Sequence, residues 1–203
     1  NGFYIYKNDY ALPMGFTFDT YVSRSQWETY SESDRCNLLL RALVLEDDAV
    51  ETYQKDMQKL PDAVHQMSDE DLLAECTERA KTACDSFTYN SKGFHATIST
   101  DHENLVFFSV PWEEGWSAEV NGEPVAIEKA DIGFMAVPVA AGDSEITFTY
   151  HTPGLKAGAL LSLGGLVLFA GYLTVAGIYN KRHPNPKTES ICCVDYSTEE
   201  TAN

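Results

Sequence analysis

Apolar residues are spaced in three different ways along the chain, and each spacing predicts a different kind of element. The first part is mixed. Phe3-Tyr-Ile-Tyr6 is a short apolar run that reads as a strand, broken by Lys7-Asn8-Asp9. Tyr10 to Phe18 is a second extended piece, with Pro13 at an edge or bend because proline cannot donate to a sheet ladder. Asp19 to Arg24 lead into helical structure. Residues 31–45 then take helical spacing, capped by Ser31 or Ser33, with Leu38, Leu39, Ala42, Leu43 and Leu45 on the apolar face. Glu46 to Glu51 is acidic and solvated, and Ala49 to Leu60 is weakly helical, stopping before Pro61. Ser68 opens a clearer helix running to Cys84. Its side chain can cap the first turn, and Asp69, Glu70 and Asp71 suit the positive end of the helix dipole. Leu72, Leu73, Cys76, Ala80, Ala83 and Cys84 form its buried stripe.

From Phe87 the period becomes two. Phe87–Tyr89 and Phe94–Thr100 flank a Ser-Lys-Gly turn, and Leu105–Val110 is a continuous apolar run, as expected of a strand buried on both faces. Trp116–Val120 and Glu123–Ile127 are joined by Asn121-Gly122, the strongest short-range hairpin signal, and Pro124 marks the second strand as an edge. Phe134–Val139 follows. Ile146, Phe148 and Tyr150 then alternate with Glu145, Thr147 and Thr149. Six or seven short strands separated by regular turns predict a β-sandwich. The third spacing has no period: Ala157 to Ile178 is 22 residues without a charge. As a helix it measures roughly 33 Å, against a hydrocarbon core of roughly 30 Å, and only a helix satisfies its own backbone in lipid.

Charge gives this span a direction. Of 14 Lys+Arg and 31 Asp+Glu, 10 and 27 precede Lys156, which accounts for the whole net charge of -17. Lys181 and Arg182 stand at the far edge of the span, and basic residues at a membrane exit mark the cytoplasmic side. The fold class is therefore α+β: a mainly-β, sandwich-like extracytoplasmic domain with two or three helices in its N-terminal half, followed by one transmembrane helix. The boundaries are 1–154 for the domain (helical part about 24–85, β-sandwich part about 86–151), 155–180 for the helix and 181–203 for a disordered cytoplasmic tail. The linker His151–Gly154 is too short for a stalk, so the sandwich is expected to stand directly on the bilayer. Asn1-Gly-Phe-Tyr has no basic or apolar leader, which predicts either a removed signal peptide or upstream helices that carry the domain across.

An acidic domain excludes nucleic acid as a partner, since phosphate binding needs a basic surface. Cys36, Cys76 and Cys84 make an odd set better read as buried free thiols than as a disulfide framework, and neither they nor the scattered His65, His95, His102 and His151 are spaced as metal ligands. The chemistry worth testing lies in Pro111-Trp-Glu-Glu-Gly-Trp116. Trp112 and Trp116 could stack on a sugar while Glu113 and Glu114 hydrogen-bond it; alternatively a tryptophan plugs the end of the sandwich and the carboxylates face water. Adjacent strand residues face opposite ways, so the two carboxylates do not converge as an acid/base pair. Ser162, Gly164, Gly165 and Gly171 suit close packing of the membrane helix against others.

Three spaced segments resemble the end of the YfhO family of bacterial polytopic membrane proteins: Val110–Val125, Ile132–Gly142, and Phe148–Lys156 leading into an apolar helix. Tyr10–Phe16 resembles the opening of that family's last extracytoplasmic region. The resemblance implies a GT-C-like glycosyltransferase with many transmembrane helices, a polyprenyl-phosphate sugar donor and a cell-envelope glycopolymer as acceptor. It also implies that the bilayer and the upstream helices of the same protein are partners. The family's expected catalytic acid belongs to an early loop outside this stretch, so no catalytic residue is carried over and this piece alone is expected to be inactive. The other expectation, from a different class, is a single-pass membrane-anchored binding or structural module of the cell surface.

Overall fold

A computed structural model describes residues 2–61 and 67–183. It divides into two compact units, Asn1–Pro153 and Gly154–Asn203. The first is mixed α+β. In chain order its early elements are β1 (Phe16–Thr17), β2 (Thr20–Ser23), α1 (Arg24–Thr29), α2 (Glu32–Arg41), β3 (Leu43–Leu45), α3 (Asp47–Tyr53), β4 (Gln58–Lys59) and α4 (Asp69–Lys81). Eight strands follow: β5 (Ser86–Asn90), β6 (Gly93–Thr100), β7 (Asn104–Pro111), β8 (Trp116–Val120), β9 (Glu123–Val125), β10 (Glu128–Ala130), β11 (Phe134–Val139) and β12 (Gly142–Tyr150).

The strands form two sheets. One has seven strands in the order β1-β7-β11-β10-β3-β2-β4, and the other has five in the order β5-β6-β12-β8-β9. β7 explains why its sequence is apolar without alternation. Leu105 and Phe107 point into a core with Phe16, Phe18, Leu43, Leu45 and Met57. Val106 and Phe108, on its opposite face, meet Phe94, Ile98, Ile146 and Phe148 of the five-stranded sheet. The expected strand buried on both faces is present, lying between these two cores. Asn121 and Gly122 take positive φ of 54° and 81° at the β8–β9 turn, the backbone a two-residue hairpin needs. β9, which carries Pro124, is an edge strand as expected.

The N-terminal half departs from expectation in several places. Phe3–Tyr6 forms no strand; all four side chains are exposed and no sheet partner satisfies their backbone. Thr20–Ser23 is a strand instead of a helix entry, running parallel to β3 and β4. The helix expected over 31–45 stops at Arg41, with Ser31 Oγ accepting from the Asp34 amide at its start. Ala42 leaves helical geometry, and Leu43–Leu45 becomes a fully buried strand pairing with β2 and β10. Sheet partners on both sides outweigh the helical spacing there. The helix expected from Ala49 to Leu60 spans only Asp47–Tyr53 before a short strand. α4 is capped by Ser68 as expected but is rotated: Cys76 and Arg79 are its buried residues, while Leu73 is exposed. Cys36, Cys76 and Cys84 are free thiols, but of the three only Cys76 is buried; Cys84 is half-buried and Cys36 exposed.

The second unit is the helix α5 (Leu155–Arg182), 28 residues with a mean hydropathy of 2.0 over its most apolar window. It is long and apolar enough to cross a membrane, and none of that window is buried against protein. The tail expected at 181–203 and His65 lie outside the described residues, apart from Lys181, Arg182 and His183.

Candidate functional site

A cleft of the first unit, about 680 Å³, opens where the β5–β6 turn, the end of β7 and the end of β12 meet. Its volume lies within the range of about 300–1,000 Å³ usual for ligand sites. Alternation along β5 and β6 carries Phe87 and Phe94 to its wall, and the same alternation along β12 ends on Tyr150. Trp116, at the start of β8, completes an aromatic run. Its ring lies 5.6 Å from Phe94 and 5.0 Å from Tyr150, centroid to centroid, and Phe94 stacks on Phe148 at 4.4 Å. Gly115 makes this arrangement possible. A Cβ there would stand 2.5 Å from the His151 carbonyl and 2.6 Å from the Tyr150 ring, so any side chain would push the β7–β8 turn off the strand end.

The polar content is small. Tyr150 Oη donates to Glu113 Oε2 at 2.8 Å, and this hydrogen bond to a carboxylate raises the phenol above its usual range. Glu113 is the only carboxylate and Lys92 the only cation lining the cleft among the described residues. That carboxylate is already bonded to a phenol, and no Cys or His lines the cleft among the described residues. Among the described residues no group of three or more His, Cys, Asp or Glu is placed to hold a metal ion.

The residues singled out from sequence are divided by the turn that carries them. Glu113 and Trp116 line the cleft. Trp112 is held elsewhere: its amide donates to the Gly133 carbonyl at 2.8 Å, and Lys129 Nζ sits 3.7 Å above its ring centre. Glu114 is exposed at the turn and does not line the cleft. Met14, Phe87, Tyr89, Lys92, Phe94 and Tyr150 join the site from segments remote in sequence. Of these, only the alternation ending on Tyr150 was a signal that sequence carried.

A second unusual group does not line the cleft. Asp131, between β10 and β11, is only 6% exposed. Its Oδ1 accepts from the Val44 amide at 2.8 Å, and its own amide donates to the Val44 carbonyl at 2.9 Å. Burial pushes its carboxyl up to about 7, against the smaller opposite effect of the Val44 hydrogen bond.

The fold and cleft thus define a two-sheet α+β domain with an aromatic-lined cleft, continuous in chain with a helix fit for a membrane. Residues 62–162 match the family described as "Bacterial membrane protein YfhO". The chain is also 30% identical over 121 residues, 60% of its length, to the "Uncharacterized protein YfhO" of Bacillus subtilis (strain 168). The chain belongs to the YfhO family and is a membrane protein. The matched stretch covers 13% of the Bacillus relative's length. No solved structure matches the chain.

Proposed function

We propose that this chain supplies an extracytoplasmic domain and the last membrane helix of a polytopic protein resembling lipid-linked-sugar-dependent glycosyltransferases, and that the domain helps to recognise an acceptor glycopolymer. One observation carries the reading: a cleft walled by Trp116 and Tyr150, with the Glu113 carboxylate at its side, in a family of membrane proteins. Aromatic rings beside a carboxylate suit a ligand with both an apolar face and hydroxyl groups. Lys181 and Arg182 at the end of α5 support a cytoplasmic C-terminal side and outward-facing residues 1–155, because basic residues gather on the cytoplasmic side of a span. The polyprenyl-phosphate sugar donor belongs to the rest of the full protein, as do the helices against which Gly164, Gly165 and Gly171 pack.

The test is sugar transfer by the full-length protein in membranes. Trp116→Ala removes a cleft wall and is expected to lower transfer about tenfold at unchanged expression. Trp112→Ala, on the Lys129 side, is expected to leave it within about twofold. Equal transfer by the Trp116→Ala variant and wild type would end the recognition role. Acceptor binding without any sugar transfer by the wild type would favour an anchored binding module instead.

A further inference from the structure

The aromatic cleft offers few hydrogen bonds, and a second cavity of the same domain is its opposite. It measures about 490 Å³ and lies where the β6–β7 turn meets β1 and the end of α4. Every residue that lines it is polar. Its wall is held by the backbone around it. The Thr17 carbonyl accepts from Arg79 Nη1 at 2.7 Å and from Thr82 Oγ1 at 3.0 Å, and the Thr17 amide donates to the Thr82 carbonyl at 3.2 Å. Asn104, on the facing strand end, is buried, with its Oδ1 accepting from the Leu105 amide at 2.7 Å. Phe16 and Phe18 both enter one core, so alternation turns the Thr17 side chain to the other face. Thr17 is only 5% exposed, yet its hydroxyl has no hydrogen-bond partner among the described residues. A buried hydroxyl left in this state on a cavity wall calls for a partner from outside the chain.

The lining decides what that partner is. Asp19 and Asp101 carry negative charge there, and the ammonium of Lys81 is already taken by Glu78 at 2.6 Å, so an anion is disfavoured. Two carboxylates beside His102 are not placed as metal ligands among the described residues. No Phe, Tyr or Trp lines the cavity to stack a flat ring, and no apolar side chain lines it to take an acyl group. An uncharged ligand with several hydroxyls fits. Its O–H groups donate to Asp19 and Asp101, and its oxygens accept from the Asn104 amide and the Thr17 hydroxyl. The aromatic cleft begins at Gly93 and Phe94, at one end of β6, and this cavity reaches Ser99 and Thr100 at the other. At about 3.3 Å per residue the two are roughly 20 Å apart along the strand. We infer that the cavity is a second saccharide subsite, holding one sugar unit of a glycopolymer by its hydroxyls while the aromatic cleft holds another by its apolar face. This rests on the acceptor reading above and adds to it a second contact on the same polymer.

The full-length protein is reconstituted in nanodiscs and its binding of envelope glycopolymer, purified from the source bacterium, is measured. The polymer is separated into two-unit fragments and chains of ten or more units. Two linked contacts make long chains bind more tightly than either contact alone, so the wild type is expected to prefer them at least tenfold. Asp101→Ala changes an exposed side chain of the β6–β7 turn and leaves the fold intact. It is expected to weaken long-chain binding at least fivefold and to remove most of the preference for length. Thr17→Val keeps the shape and deletes only the hydroxyl, and is expected to weaken long-chain binding about threefold. Long chains bound equally by wild type, Asp101→Ala and Thr17→Val would overturn the inference and leave the cavity to water. Weakening by Trp116→Ala alone would do the same while sparing the acceptor role of the cleft. A wild type that binds no polymer of either length would remove the acceptor reading itself, and this subsite with it.

Discussion

Asp131 sits at the turn between β10 and β11 with φ of 45°, shut away from water and facing the Val44 amide. Its proton is held more tightly in the folded chain, at about 7, than in the unfolded one, near 3.8. The stability this contributes is therefore fully present below about pH 4 and is lost as pH rises through 7. At 1.36 kcal/mol per pH unit the loss is about 4 kcal/mol at most. Asparagine keeps the acceptor for Val44, tolerates positive φ and does not ionise. Asp131→Asn is thus expected to melt several degrees above wild type at pH 8 and to show no advantage at pH 4, read by thermal unfolding at both pH values. An equal difference at the two would mean that the carboxyl does not titrate as its burial implies. Arg79 is a second costly residue. Its Nη1 donates to the Thr17 carbonyl at 2.7 Å and its guanidinium lies 5.1 Å from the Phe18 ring centre, with no carboxylate bridging it among the described residues. Arg79→Met keeps the stem but leaves the Thr17 carbonyl with Thr82 Oγ1 as its side-chain donor, at 3.0 Å, and should cost about 1 kcal/mol in urea denaturation.

Single elements are held by short-range chemistry where the sequence was easiest to read. Ser68 Oγ accepts from the Asp71 amide at 3.2 Å while Asp71 Oδ2 accepts from the Ser68 amide at 3.0 Å, a reciprocal cap at the start of α4. Ser68→Ala should lower stability by about 1 kcal/mol, and Ser68→Asn by much less, measured by the same denaturation. Such caps, the Asn121-Gly122 turn and the unbroken apolar run of β7 were legible because each depends on neighbours in sequence or on burial alone. The strands β2, β3 and β4 were not. They are two to four residues long, and β3 finds one of its partners at Ala130, on β10. No local period records such a pairing, and Leu43–Leu45 simply continued the helical spacing of α2. The inward turn of Arg79 was hidden for a related reason: hydropathy assigns arginine to the outer face of a helix. At the cleft, the cluster of Trp116 and Glu113 was visible in sequence. Tyr89 and Lys92 were not, because they reach it only through the hairpin joining β5 and β6.

At the scale of the whole molecule, the membrane helix and the folded domain obey opposite rules of composition. The apolar side chains of α5 are exposed, with Leu161 and Leu168 more than three-quarters so, whereas those of β7 and β11 are almost all hidden. Arginine near the centre of a membrane helix costs about 2.5–3.5 kcal/mol in insertion. With Leu155–Arg182 placed in a host protein whose glycosylation reports insertion, Leu168→Arg should reduce the inserted fraction several-fold. An unchanged fraction would argue that α5 does not need to be a span. The sheet order has a further consequence, for the timing of folding. Phe16 of β1 pairs with Phe107 of β7, about ninety residues later. At synthesis rates of about 5–20 residues per second, β1 waits between roughly 5 and 18 s for its partner to exist. During that interval Phe16 lacks its sheet partner, and its core lacks Leu105 and Phe107. A domain joined in this way cannot condense strand by strand as it leaves the ribosome. It must be kept open, and protected, until nearly all of it has been delivered.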